Sequence, residues 1–233
     1  MRESNEIQIA YREINKLRHV IPEIDYFLES IGRVGEVAIV GGAIRDWILG
    51  FEPRDIDIVV DTEKEKLYPI IEPYLKEKTK FGGYHLLIDQ IKVDIWPLCE
   101  TWAFGVIDIK DKATLKDFPA TVVYNIDAIV MRLSDGVYFE NNFFYSIKNR
   151  ILTTIFTNNP FLASCAARAL YVTDKYHLTW DISVDKFFYK MIENGLNWMD
   201  IEKAQIANYG KLIVSLEESQ KMIPIDIFTA LSE

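Results

Sequence analysis

Cysteine is scarce in this chain: its 233 residues include Cys99 and Cys165 and no others, far apart and in no CxxC arrangement. That excludes a disulfide-stapled scaffold, argues against a zinc site, and points to reduced thiols in a cytoplasmic setting. Long apolar runs are also missing; none approaches the ~20 residues of a membrane span. The opening Met1-Arg2-Glu3-Ser4-Asn5-Glu6 leads into an amphipathic stretch, not an apolar one, so no secretory signal and no membrane partner are expected. Nor is there a basic excess. Lys and Arg number 26 against 35 Asp and Glu, a formal net charge of -9, whereas a sequence-indifferent nucleic-acid binder normally carries the opposite balance. Internal repeats and low-complexity tracts are absent. What remains is 49% hydrophobic and 26% charged, the composition of a soluble globular protein. A chain of this length buries roughly 70% of its unfolded surface and needs no staples.

Periodicity divides the chain into two parts. Apolar residues from Ile7 to Ile31 fall at helical spacing, with a break expected at Pro22. Glu36 to Val40 reads as a short buried strand ended by Gly41-Gly42, Ala43 to Leu49 as a short helix stopped by Gly50, and Asp55 to Val60 as a second strand. Glu63 to Lys76 is helical in pattern but irregular, because it contains Pro69 and Pro73. Tyr84–Ile88 and Ile91–Leu98 pair through a turn at Asp89-Gln90. Thr121 to Leu133 reads as one longer strand, turned by Ser134-Asp135-Gly136 into Val137-Tyr138-Phe139. Beyond residue 141 the pattern becomes helical, over Phe161–His177, Val184–Asn194, Met199–Asn208 and Lys211–Met222. The expected fold class is α/β (α+β): a mixed sheet flanked by helices over residues 1–140, then an all-helical domain over 141–233.

Chemistry concentrates between residues 37 and 60. Two glycines between a strand and a helix let backbone approach a bulky anion without a Cβ in the way, and the N–H groups and dipole of the following helix favour negative charge there. Gly41 and Gly42 therefore suit a triphosphate. Asp55 and Asp57, two apart on a strand, project from one face. Two like charges ~4 Å apart repel by about 4 kcal/mol at an effective dielectric of 20, so such a pair shares a proton or holds a cation. Carboxylate oxygens are the ligands that Mg²⁺, or Mn²⁺, prefers, completed by substrate phosphates. Asp94, in Lys92-Val-Asp-Ile-Trp96, offers a third ligand on a later strand, and three carboxylates can hold two metals ~3.5–4 Å apart. Either half of this pattern alone equally describes a β-turn and a solvent-facing edge strand. Together and in order they point to nucleotidyl transfer.

Gly41-Gly42, with Asp55-Ile56-Asp57 starting thirteen residues later and Asp94 beyond, resembles the nucleotidyltransferase superfamily of DNA polymerase β. The fuller Gly-Gly-Ala-Ile-Arg-Asp-Trp-Ile-Leu-Gly50 is similar to the head domain of bacterial poly(A) polymerases and CCA-adding tRNA nucleotidyltransferases. Weaker likeness continues through Tyr124-Asn-Ile-Asp-Ala128, Ser134-Asp-Gly136, Arg168-Ala-Leu170 and Tyr176-His-Leu178, so it runs from about residue 34 to residue 181. The resemblance implies Asp55, Asp57 and Asp94 as catalytic metal ligands, an NTP such as ATP as substrate, and an RNA 3′ end, tRNA included, as acceptor. The chain departs from that pattern in two places. Ala120-Thr-Val-Val123 replaces the Arg-Arg-Asp triplet of the tRNA enzymes, and Phe161-Leu-Ala-Ser-Cys-Ala-Ala167 replaces their base-reading Glu-Asp-x-x-Arg. The length is also expected to leave no room for the family's full tRNA-gripping body and tail. CCA specificity therefore does not carry over.

The remaining residues have two readings each. Arg45 contacts phosphate or forms a local ion pair with Asp46; Arg54 contacts nucleotide or offsets the charge of the acids. Arg168 matches the family's neck arginine and would touch triphosphate or base. His85 reads as a half-buried histidine, since metal activation removes the need for a basic side chain. The aromatics at 143–145 and 187–189 read as packing for the helical part. The expected function is metal-dependent transfer of an NMP to an acceptor hydroxyl with release of pyrophosphate. Alternatives are transfer to a small molecule or a protein hydroxyl, and an inactive nucleotide-binding regulatory or antitoxin-like module.

Overall fold

A computed structural model describes residues 2–79 and 81–232 of the chain. The elements run α1 (Arg2–Val20), α2 (Pro22–Gly32), β1 (Glu36–Val40), α3 (Gly42–Leu49), β2 (Ile56–Asp61), α4 (Lys64–Ile71), β3 (Leu75–Lys78), β4 (Tyr84–Ile88), β5 (Ile91–Pro97) and α5 (Trp102–Val106). They continue with β6 (Ile129–Arg132), β7 (Tyr138–Glu140), α6 (Phe143–Asn149), β8 (Ile151–Leu152), α7 (Leu162–Tyr176), β9 (Thr179–Trp180), α8 (Ile182–Glu193), α9 (Trp198–Tyr209), α10 (Leu216–Ser219) and α11 (Ile225–Ser232). The chain divides into two compact units, Met1–Thr121 with Asp127–Asn141, and Val122–Ile126 with Asn142–Glu233. Among the described residues no helix is long and apolar enough to cross a membrane.

The first unit is built on a seven-stranded mixed sheet in the order β3-β4-β5-β2-β1-β6-β7. β2 and β5 run parallel and the other neighbours antiparallel. β1 sits near the centre; Ala38 and Ile39 are fully buried, as are Val59 and Val60 on β2. Each fully buried aliphatic side chain of this kind contributes about 1.5–3 kcal/mol. β4 and β5 alternate instead: Tyr84, Leu86, Ile88, Val93 and Ile95 are buried on one face, while His85 and Asp94 stand half-buried on the other. α4 packs on β5 and α2 on β1 and α4. Trp96, two residues beyond Asp94 and therefore on the same face, meets Phe118 with ring centroids 6.3 Å apart. The β4–β5 turn has two residues, with Ile88 facing Ile91, and Asp89 and Gln90 both adopt positive φ, 42° and 73°. That is the twist a two-residue hairpin demands.

Several sequence expectations change here. β3 was expected to be the end of a helix; Pro73 instead sits in a 3-10 turn (Glu72–Tyr74), after which the chain extends and pairs with β4. The long strand expected over Thr121–Leu133 is two things. Only Ile129–Arg132 joins the sheet, while Val122 and Val123 accept from Phe156 and Ile155 N–H in the second unit. Asn125, fully buried, fixes that detour: its side chain donates to Ile151 O and accepts from Thr153 N–H. In the second unit α7, α8 and α9 form as expected, but Lys211–Met222 is mostly not helical. Gly210, at φ 73°, ends α9. The buried Gln205 side chain then accepts from Ile213 and Val214 N–H and donates to Val214 O, so the chain bends without forming a helix until Ser215 caps the one-turn α10. α6 and α11 were not foreseen.

Candidate active site

The site begins at the end of β1. Gly41 has φ 63° and ψ -120°, a conformation that costs any residue with a Cβ about 1–3 kcal/mol. An added Cβ would also stand 3.5 Å from Asp127 O. The Gly41 N–H donates to Ile129 O (2.9 Å) and its carbonyl accepts from Arg45 N–H (3.2 Å), which ties the turn to β6 on one side and starts α3 on the other. Gly41 offers no side-chain cap to the first turn of α3, so a bound anion can take that role.

Arg45 is buried, 2% exposed, and its guanidinium pairs with Asp46 (3.0 Å) and with Asp127. The charge of Arg45 is therefore answered within the fold. Of its two expected readings, the geometry matches the ion pair that fixes the glycine turn. Arg54 is half exposed, and its Nη2 lies 2.7 Å from Asp55 Oδ2. It offsets the acid beside it while remaining within reach of solvent.

Asp57 lies on β2 directly between Val40 of β1 and Asp94 of β5 in the sheet register. Paired residues on adjacent strands share a face, about 4.8 Å apart in the backbone. Asp57 and Asp94 thus stand side by side, one strand away from the residue that precedes the glycine turn. Asp55, just before β2, is close enough for its charge to act on Asp94. Burial, first, pushes the Asp94 carboxyl above the usual carboxylate range; the hydrogen bond and charge of His85 pull it back, the charge of Asp55 raises it, and Arg54 lowers it. Among the described residues no three His, Cys, Asp or Glu side chains are drawn into a ready-made cation cage: Asp55 leans on Arg54 and Asp94 on His85. The donor set nevertheless suits a hard divalent cation. It is all oxygen, half-buried and mutually repulsive through Asp55 and Asp94, and Arg54, beside Asp55, is exposed enough to swing away.

His85 is half-buried, as the sequence reading has it, but it has a partner which that reading does not supply. It faces Asp94 across β4–β5, and its Nδ1 is hydrogen-bonded to Asp94 Oδ1. The signal was available, because a two-residue turn at Asp89-Gln90 sets residue 85 opposite residue 94. Arg168 belongs to the second unit, on α7, where its guanidinium stands over the Tyr171 ring at 5.7 Å. A separate open hollow of about 300 Å³, lined by Phe81, Thr101, Trp102 and Val106 among others, contains none of the candidate residues.

Residues 37–104 match the family model of the poly A polymerase head domain. No curated protein gives a significant sequence match. Among solved structures, a CCA-adding enzyme in apo form I superposes with a TM-score of 0.65 at 17% identity, over 89% of this chain and 52% of that one. A CCA-adding enzyme in complex with ATP gives 0.62 at 18% identity, over 93% and 52%. The Thermotoga maritima CCA-adding enzyme complexed with tRNA gives 0.58 at 17% identity, over 88% and 49%. The chain spans about half the length of these enzymes. The likeness to the poly A polymerase head is thus visible in sequence from β1 to α5, and the fold, a mixed sheet with helices followed by a helical region, is shared over most of the chain.

Proposed function

We propose that the protein transfers a nucleoside monophosphate from an NTP to an acceptor hydroxyl and releases pyrophosphate. The observation that carries this reading is the in-register pairing of Asp57 with Asp94 beside the Gly41 turn, with Asp55 next to them. Gly41 and the uncapped first turn of α3 receive the triphosphate. Asp55 and Asp57 hold divalent cations, and Asp94 holds the one nearer the acceptor. Mg²⁺ or Mn²⁺ bound there supplies a lowered pKa for the acceptor hydroxyl and neutralises charge on the phosphates. Arg45 keeps the glycine turn rigid through Asp46 and Asp127. Arg54 neutralises Asp55 until nucleotide and metal arrive. Arg168, on the helical unit, is a nucleotide contact in this scheme, and the two functional segments are a head over residues 1–140 and a neck-like region over 141–233.

An RNA 3′ end, with tRNA among the options, is the favoured acceptor, in keeping with the tRNA-bound relative of the same fold. A second reading, transfer to a small molecule or a protein hydroxyl, is supported by the net charge of -9 and by Phe161–Ala167, which lacks the acids and arginine of a base-reading element. One assay separates them. The protein is incubated with each labelled NTP, Mg²⁺ or Mn²⁺, and total RNA, and the label is followed. Label in RNA supports the first reading, and label in protein or metabolites the second. Nucleotide binding without transfer would leave a regulatory module. Transfer that persists in both Asp55→Asn and Asp57→Asn refutes the mechanism.

A further inference from the structure

Glu77, His85, Asp94 and Asp57 are partners in succession across β3, β4, β5 and β2. In-register neighbours project to one side of a sheet with Cβ atoms about 4.5–5.5 Å apart. A single row over one face therefore reads carboxylate, imidazole, carboxylate, carboxylate. His85 Nδ1 is hydrogen-bonded to Asp94 Oδ1, and His85 Nε2 lies 4.0 Å from Glu77 Oε1. Side-chain exposure falls inward along the row, from 74% at Glu77 through 40% at His85 to 25% at Asp94. The outer two residues thus lie beyond the acid that adjoins Asp57, with His85 in contact with it.

An ionised carboxylate only accepts hydrogen bonds, so the imidazole must carry its proton on Nδ1 to make this contact. The terminal torsion of an aspartate is broad and two-fold. A donor fixed on one oxygen removes that freedom and leaves the other oxygen for a cation. We propose that His85 is a positioning residue: its Nδ1–H holds Oδ1 of Asp94 so that Oδ2 meets the cation shared with Asp57. This rests on the reading of Asp57 and Asp94 as metal acids. His85 itself touches neither substrate nor reacting atoms.

Two measurements test it without reference to turnover. In the metal-free protein, ¹⁵N NMR of the imidazole is expected to show Nδ1 protonated. Mn²⁺ titration of the nucleotide-free protein is expected to show 10–100-fold weaker binding in His85→Phe, the usual loss when an outer partner of a metal ligand is removed. His85→Asn, which places an amide donor near the Nδ1 position, recovers most of that loss; His85→Gln, whose donor falls near Nε2, does not. In transfer assays the same variants shift the Mn²⁺ concentration for half-maximal rate more than the rate at saturating metal. An Nε2–H tautomer, or equal Mn²⁺ affinity in wild type and His85→Phe, overturns the proposal. Should His85→Phe not fold, equal affinity in His85→Asn and His85→Gln overturns it instead. Weakened Mn²⁺ binding in a protein that labels no acceptor keeps His85 in its role and removes the transfer reading. No Mn²⁺ binding by wild type removes both.

Discussion

In the first unit Asp55, Asp57 and Asp94 stand on or beside adjacent strands. In the second, Asp181, Asp185 and Asp226 gather around α8. Asp181 is committed to the fold: it caps α8, accepting from Ser183 N–H at 2.8 Å and Val184 N–H at 3.4 Å. Asp226 accepts from the Tyr189 hydroxyl. Asp185 sits between them with its Oδ1 buried and without a hydrogen-bond partner. The sheet acids are different. Asp55 and Asp94 are held by side chains, Arg54 and His85, that are 52% and 40% exposed, and no helix end depends on them. The proposed metal role of the first group draws on this difference: the partners of Asp55 and Asp94 are exposed side chains, whereas Asp181 caps a helix.

The largest effect should fall on the sheet acids. Asp57→Asn is expected to reduce labelled-NMP transfer by at least about a thousandfold, ~4 kcal/mol in activation free energy, while circular dichroism and the thermal midpoint stay at or above wild type without metal. Asp181→Ala, in contrast, should leave transfer within about twofold and lower the midpoint, since a helix cap is worth ~1 kcal/mol. A matching loss of transfer in Asp181→Ala would erase the contrast. Next in size is Gly41→Ala. The positive φ of Gly41 predicts a loss of about 1–3 kcal/mol and weaker NTP binding, read by thermal unfolding and nucleotide titration; an unchanged midpoint would show that the turn can relax.

The smallest effect concerns Asp185, whose carboxyl is raised by burial and then by the charges of Asp226 and Asp181. A raised folded pKa means that the contribution to stability is fully present below the ordinary carboxylate pKa and is lost as pH rises through the folded value. Asp185→Asn should therefore raise the midpoint at pH 7 and give no gain near pH 3. Solvent screening limits the gain to at most about 2–4 °C, the worth of ~1 kcal/mol at this chain length. Melting curves at both pH values decide it; a gain independent of pH would point to packing instead of charge.

Where local signals were strong, the fold was legible in the sequence. β1, α3, the β4–β5 hairpin and α7 to α9 follow from glycines, short apolar runs and helical periodicity, and Gly41, Asp55, Asp57 and Asp94 were all found as one motif. What escaped depends on single buried amides acting at a distance. Asn125 draws residues 122–126 out of an apparent strand, and Gln205 holds residues 213 and 214 in a bend against their helical pattern; neither partner is adjacent in sequence. The pairs Arg45–Asp46 and Arg54–Asp55 were anticipated, but two further charge partners escaped for the same reason. Asp127, which answers Arg45, lies 82 residues away from it, and His85 gains its meaning only from the residue across the ladder.

The two-residue bend at Asp89 and Gln90 has a consequence for how this molecule can change. Side chains alternate along a strand, so hairpin pairing has a parity. With a two-residue bend kept, one residue inserted or removed there would set His85 opposite Val93 or Ile95 instead of Asp94, so that imidazole shares the apolar face of β5 while Tyr84 and Leu86 come to the side of the acids. A loop elsewhere could lengthen one residue at a time. Here Asp89 and Gln90 can give way to residues equally at ease with positive φ, or to a longer bulged loop that keeps Ile88 facing Ile91, if histidine and aspartate are to stay in step.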